Sequence, residues 1–205
     1  QSPDWSRGDI QKEKYLLEKR IRELAERYAR RVPMWEVTNE TFWGSDDKGC
    51  NFYHEPDFVE WSFKLAEQYF PANHLVINEW SGLWGDTWSH RSRGRYYMLI
   101  ERAMLKGARI DGIGMQAHYN VYGPTMGEVD NAINLYSTFV KHIHRTELGI
   151  RVNEDMGGGL RFRQGASQVS DWERTLQQDP YVNLFKVLRK HKDVIDCVTF
   201  WNVSD

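Results

Sequence analysis

Cysteine is scarce in this sequence, and long apolar runs are missing from it. The two cysteines, Cys50 and Cys197, can form one disulfide at most. They lack the paired spacing of a zinc site, so they read as two buried thiols and identify no compartment. The longest apolar stretches are strand-sized, far short of the roughly 18 residues of a membrane span, and no signal peptide opens the chain. A soluble protein is expected, with any export signal removed or left out. An excess of charge of one sign is missing too. The chain carries 27 Lys and Arg against 29 Asp and Glu, a formal net charge of −2, and no basic stripe that could neutralise a phosphate backbone, which argues against nucleic acid as a partner.

Aromatic side chains, by contrast, are plentiful: nine Trp, ten Tyr and nine Phe. Several of the tryptophans sit near turn-like residues rather than inside periodic apolar runs. Aromatic faces not needed for a core suit the apolar faces of sugar rings, although an aromatic-rich core would leave a similar composition. At 205 residues and 40% hydrophobic content, the chain is long enough for one domain with a sizeable core and too short for two ordinary ones.

Amphipathic helical stretches alternate with short β-rich runs. Ile10, Leu17, Ile21, Leu24 and Tyr28 recur at helical spacing, and the apolar segment from Met34 to Val37 ends at Asn39 and Glu40. Pro56 and Asp57 open a helix with Phe58, Leu65 and Tyr69 on one face, followed by a strand from His74 to Asn78. A helix from about Arg95 to Lys106 precedes a strand from Ile110 to Gln116. A helix from Glu128 to Phe139 precedes a run around Ile143, and a helix from Tyr181 to His191 precedes a strand from Val194 to Trp201. Strand starts about 30 to 55 residues apart are the spacing of βα units in a parallel sheet, open or closed.

The polar residues favour a closed barrel. Four of the five strands end in groups suited to chemistry: Asn39 with Glu40, Asn78 with Glu79, Gln116 with His118, and Trp201; the fifth leads into Glu147. A (β/α)8 barrel builds its active site from such strand ends, and no Gly-rich phosphate loop follows the first strand, which lowers a dinucleotide-binding fold. Five strands do not close an eight-stranded barrel. A second polypeptide segment, from another chain or another part of the same protein, is therefore expected to supply the rest.

Two carboxyl groups about 5 to 5.5 Å apart, at the ends of different strands, would serve retaining glycoside hydrolysis. Glu40 and Glu147, two strand units apart, are the candidates. Taken alone, a glutamate at a strand end is more often a solvated loop residue or an ion-pair partner, His118 a satisfied core histidine and Trp201 core. The combination WEVTNE at Trp35 to Glu40, DGIGMQAH at Asp111 to His118, TELG at Thr146 to Gly149 and VTFWNVSD at Val198 to Asp205 is specific. In this order and spacing it resembles the family 10 glycoside hydrolases, mainly endo-β-1,4-xylanases. Their acid/base lies in a WDVVNE-like motif after strand four and their nucleophile in a TELD-like motif after strand seven. The opening QSPDW also looks like the segment after the family's third strand.

The resemblance covers essentially the whole chain. It implies an α/β fold, a (β/α)8 TIM barrel of which residues 1–205 supply about five βα units as the C-terminal part of a single catalytic domain. It implies endo-hydrolysis of xylan with Glu40 as acid/base and Glu147 as nucleophile. Asn39 would bond the 2-hydroxyl of the sugar being cleaved, Gln116 and His118 would contact the nucleophile and that sugar, Trp201 would wall it, and Trp80 would line the leaving-group side. It implies no cofactor and no metal, xylan or xylo-oligosaccharide as the partner, strands one to three from a second segment, and a secreted or periplasmic location. A carbohydrate-binding barrel without turnover, or a bare scaffold fragment, is the alternative.

Competing assignments fall to spacing. Glu79 within Asn78-Glu79-Trp80 leaves only one strand before Glu147, and Glu154 lacks the Thr-Glu-Leu context and reads as a loop carboxylate. His142 and His144 share a strand face without a third metal ligand, and Asp46 and Asp47 fail the calcium-loop pattern. Three departures stand out. Gly149 replaces the family aspartate that orients the active-site histidine, so His118 is expected to be less well held. Glu36 is one methylene longer than the motif aspartate, and Thr38 brings a hydroxyl that needs a partner.

Overall fold

The structure, a computed structural model, describes residues 9–41, 52, 55–80, 90–152 and 171–201. The opening QSPDW, Asp46 and Asp47, Cys50, Glu154 and the stretch after Trp201 lie outside the described residues. The chain forms two compact units, one made of Gln1–Glu79 with Gly94–Gly114 and the other of Trp80–Arg93 with Met115–Asp205.

The first unit begins with α1 (Ile10–Tyr28), whose N-terminal amides at Gln11 and Lys12 donate to the Asp9 side chain. Such a cap satisfies donors that have no partner inside the helix. β1 (Met34–Asn39) and β2 (His74–Glu79) run parallel, in register from Met34 opposite His74 to Asn39 opposite Asn78, with an irregularity between Glu36 and Thr38. Between them lies α2 (Phe58–Tyr69), which turns Phe58, Val59, Phe63, Leu65 and Ala66 inward. Each such side chain contributes about 1.5 to 3 kcal/mol of hydrophobic stabilisation when fully buried. α3 (His90–Leu105) leads to β3 (Gly112–Met115), which lies on the far side of β2. β2 is buried at Leu75 through Glu79, on both faces, as a central parallel strand must be.

Polar side chains brace this unit at the turns. The Asn73 amide donates to the carbonyls of Ala29 and Val32, and the Arg109 guanidinium donates to those of Phe70, Pro71 and Asn73. The buried Glu60 carboxylate is paired by Arg102 and Lys106, each at 3.1 Å. Thr38 carries the hydroxyl that its sequence made a concern: the Oγ1 is buried and has no hydrogen-bond partner among the described residues.

In the second unit, β4 (His118–Asn120), β5 (His142–Arg151) and β6 (Ile195–Phe200) are parallel. α4 (Met126–Tyr136) starts two residues earlier than the apolar spacing suggests, because Thr125 and Glu128 form a reciprocal capping box. α5 spans Asp171–Lys190 and runs through Pro180, where a helix start at Tyr181 is the natural reading of a residue without an N–H. Contacts on both sides of the proline hold it: Gln177 donates to the Ile150 carbonyl, and the Ile150 amide donates to the Tyr181 hydroxyl.

The expected strand from Ile110 to Gln116 is the shorter β3, which ends at Met115; a separate strand, β4, begins at His118, with Ala117 at φ 69° between them. The expectation of buried thiols fails at Cys197, which is exposed. It lies on β6, where Asp196, Thr199 and Phe200 are exposed as well, so alternation along this strand does not separate a core face from a solvent face. His142 and His144 both approach the Asp196 carboxylate, at 2.5 and 4.0 Å.

Candidate active site

Asn39 and Glu40 lie at the end of β1 and Gln116 just beyond β3, whereas His118 opens β4 and Glu147 lies within β5. In the first unit, Glu40 follows the last residue of β1, is half-buried and has φ 51°. Its amide donates to the Asn78 carbonyl at 3.3 Å. Asn39 is exposed, and its Oδ1 accepts from the Asn78 side-chain amide at 3.2 Å. Glu79, the rejected candidate, is fully buried at the end of β2.

In the second unit, Glu147 lies on β5 and is buried, as is Gln116. The Glu147 amide donates to the Gln116 carbonyl at 2.9 Å, and the Gly149 amide donates to the Ala117 carbonyl at 3.2 Å. These bonds fix the level at which the Glu147 side chain leaves the strand. The His118 Nε2 then lies 2.9 Å from Glu147 Oε2, within hydrogen-bond distance, and holds the carboxyl group in place. Trp201 follows β6 with its amide on the Leu148 carbonyl, is more than half exposed, and meets the His118 ring edge to face at 5.9 Å. Trp80, just beyond β2, is also exposed.

Gly149 is the register partner of His118, so a side chain there would stand beside that histidine across the parallel pair. A Cβ built on Gly149 meets nothing within 4 Å. The departure in the TELG motif thus leaves room rather than strain, and the His118 ring is hydrogen-bonded to Glu147.

Only two non-glycine residues among those described have positive φ, Glu40 and Ala117. Both adjoin candidate residues at strand ends. Such conformations cost of order 1 to 3 kcal/mol and concentrate at sites where the surrounding structure enforces them. Sequence reasoning missed this feature of Ala117, for which no residue-type signal exists.

Below Glu147 on the same strand is Arg145, fully buried, which spacing alone did not single out. Its guanidinium donates to the Met115 sulfur at 3.0 Å and to the Tyr119 hydroxyl, lies over the Tyr119 ring, and leaves Nε without a partner. Burial draws the Arg145 pKa down to about 9. Among the described residues there is no group of three or more His, Cys, Asp or Glu placed to hold a metal ion.

Comparison with known proteins places this arrangement. The family model described as Glycosyl hydrolase family 10 matches residues 1–205. The chain is 35% identical to an endo-1,4-beta-xylanase/feruloyl esterase of Xylanibacter ruminicola, covering 100% of this chain and 31% of that protein. It is 28% identical to endo-1,4-beta-xylanase B of Paenibacillus barcinonensis, covering 100% of this chain and 63% of the relative. Among solved structures, a psychrophilic glycoside hydrolase family 10 endo-beta-1,4-xylanase superposes with a TM-score of 0.82 at 47% identity, over 98% of this chain and 63% of that one. The Paenibacillus barcinonensis xylanase in complex with a conduramine derivative gives a TM-score of 0.85 at 27% identity, over 100% of this chain and 63% of that one. The chain therefore spans less than two thirds of these proteins, and its parallel strands and helices are about five βα units of a (β/α)8 barrel.

Proposed function

Because the chain belongs to glycosyl hydrolase family 10, we propose that it is the greater part of the catalytic barrel of an endo-β-1,4-xylanase, cleaving xylan or xylo-oligosaccharides with retention of configuration. The observation that carries the reading is Glu147, a buried carboxylate on β5, held by His118 at 2.9 Å. A nucleophile must be fixed, and this one is hydrogen-bonded through one of its two oxygens.

In the first step Glu147 attacks the anomeric carbon while Glu40 gives its proton to the leaving glycosidic oxygen, so the C–O bond breaks as the glycosyl-enzyme bond forms. In the second, Glu40 takes a proton from water, the water oxygen attacks the same carbon, and Glu147 leaves as carboxylate. Asn39 bonds the sugar 2-hydroxyl, an interaction that strengthens as the oxocarbenium-like state develops. Gln116 and His118 contact the nucleophile and that sugar, Trp201 walls it, and Trp80 lines the leaving-group side. A further segment supplies barrel strands one to three, pairing with the outer edges of β1 and β6, since unpaired buried backbone groups cost about 1 to 3 kcal/mol each. The protein acts outside the cytoplasm, secreted or periplasmic.

The test is release of a chromogenic aglycone from an aryl xylobioside by the complete barrel, together with a crystal structure of it. Turnover is expected, with the Glu40 and Glu147 carboxyl carbons about 5 to 5.5 Å apart. A separation beyond about 8 Å would sink the retaining mechanism. Xylobiose binding without turnover would make the protein a binding barrel.

A further inference from the structure

We propose that Asn78 is a positioning residue that sets both Asn39 and Glu40, and that Gly114 and Tyr96 exist at their positions to hold Asn78. The inference rests on the roles of Asn39 and Glu40 given above. Asn78 is fully buried in β2 directly opposite Asn39. Its side chain donates to Asn39 Oδ1 at 3.2 Å, and its carbonyl accepts from the Glu40 amide at 3.3 Å. One residue therefore reaches the group assigned to the sugar 2-hydroxyl and the backbone of the group assigned to proton transfer.

The side-chain bond does more than attach. An amide can turn over and exchange its oxygen for its nitrogen, but a turned Asn39 would bring two NH2 groups face to face, donor against donor. Asn78 thus couples the two amides: with Asn78 oriented as it is here, one of the two Asn39 orientations makes the bond, and a sugar hydroxyl meets the matching donor and acceptor pattern. Preset hydrogen-bonding groups lower a barrier because they need no reorganisation during the reaction.

What holds Asn78 is the neighbouring strand. A Cβ on Gly114 would fall 2.4 Å from Asn78 Oδ1, 2.9 Å from its Cγ and 3.0 Å from its Cβ, so no other residue leaves space for this amide. A glycine inside a strand is the expected mark of such a close approach. The buried Tyr96 hydroxyl lies 3.1 Å from the carbonyls of both Ile77 and Gly114, the residues that flank the contact, and ties the two strands together there.

The experiment is a double-mutant cycle in the complete barrel, with Asn39→Ala, Asn78→Ala and their combination assayed on an aryl xylobioside. Asn78→Ala is expected to lower kcat about tenfold, the worth of one neutral hydrogen bond, with KM little changed. In the Asn39→Ala background the same replacement is expected to lower kcat by much less, because the group it positions is gone. Asn78→Asp, which keeps the volume and removes the donor, should give the same pattern and is the variant to use if the alanine does not fold. Equal factors in both backgrounds, or a lower melting temperature with kcat unchanged, would overturn the proposal. If the unaltered barrel has no turnover, the xylanase reading fails. The same cycle is then read in xylobiose affinity by calorimetry, where equal factors in both backgrounds again overturn the positioning role.

Discussion

Each unit carries one of the two candidate carboxylates, in different settings. In the first, Glu40 follows β1, is half-buried, and has a left-handed φ of 51° and an amide bonded to Asn78. In the second, the left-handed residue is Ala117, which has no chemistry of its own, and Glu147 is buried with a histidine on its carboxylate. The units also differ in the charges they bury. The first encloses Glu13, Glu60 and Glu79, of which Glu60 is matched by Arg102 and Lys106; the second encloses, besides Glu147, Arg145, which is met by a sulfur and a phenol. In the proposed mechanism Glu40 exchanges protons with water and Glu147 attacks one carbon, which calls for a fixed carboxyl.

Glu147→Ala tests that contrast with the largest expected effect. Loss of the attacking group should lower kcat by more than about 10⁴-fold on every substrate, measured with xylan and with aryl xylobiosides of good and poor leaving groups. Glu40→Ala should cost about 10² to 10⁴-fold where the leaving group needs a proton and spare the first step where it does not. Azide should restore part of the second step. Equal loss in both variants on all substrates would erase the distinction between the two carboxylates.

Arg145→Met sharpens the comparison of buried charge. An apolar side chain of similar length should stabilise the barrel by about 1 to 4 kcal/mol at neutral pH, seen as a higher urea midpoint. The sign follows from the lowered pKa: between about 9 and the higher ordinary arginine value the folded chain binds fewer protons than the unfolded one. Wild-type stability therefore rises with pH in that window, and the advantage of the variant should shrink above pH 9. An advantage independent of pH would mean that packing, not charge, separates the two.

The smallest effect is expected at Asp130 of α4, which Lys190 and then His191 hold below the ordinary carboxylate range across to α5. A lowered carboxylate pKa gives stability that is complete above the unfolded value of 3.8 and is lost as pH falls through the folded one. Asp130→Asn should melt slightly below wild type at neutral pH and match it in strong acid. A difference that persists in acid would exclude the ion pair as its cause.

Much of this was legible in the chain itself. Helical spacing located α1 and α2, and apolar runs located β1, β2, β5 and β6, because burial imposes those periods directly. Boundaries were less legible where a distant contact overrules a local signal. Pro180 reads as a helix start, yet α5 passes through it, held by bonds to Ile150. The strand read from Ile110 to Gln116 is only Gly112–Met115, and the short strand β4 that follows Ala117 went unread, because an alanine carries no mark of a left-handed backbone.

By itself the sequence determined the alternation of helices and parallel strands, the family, and which glutamates stand at strand ends with Thr-Glu-Leu or Asn-Glu around them. Those properties follow from residue order and side-chain polarity, which local periodicity records. Tertiary structure alone decided that His118 bonds Glu147, that Gly149 faces His118 across a register pair with open space beside it, and that Asn78 bonds Asn39 in the room left by Gly114. These pairs are 29 to 39 residues apart in the chain, and only the pairing of one strand with another brings their side chains within hydrogen-bond reach.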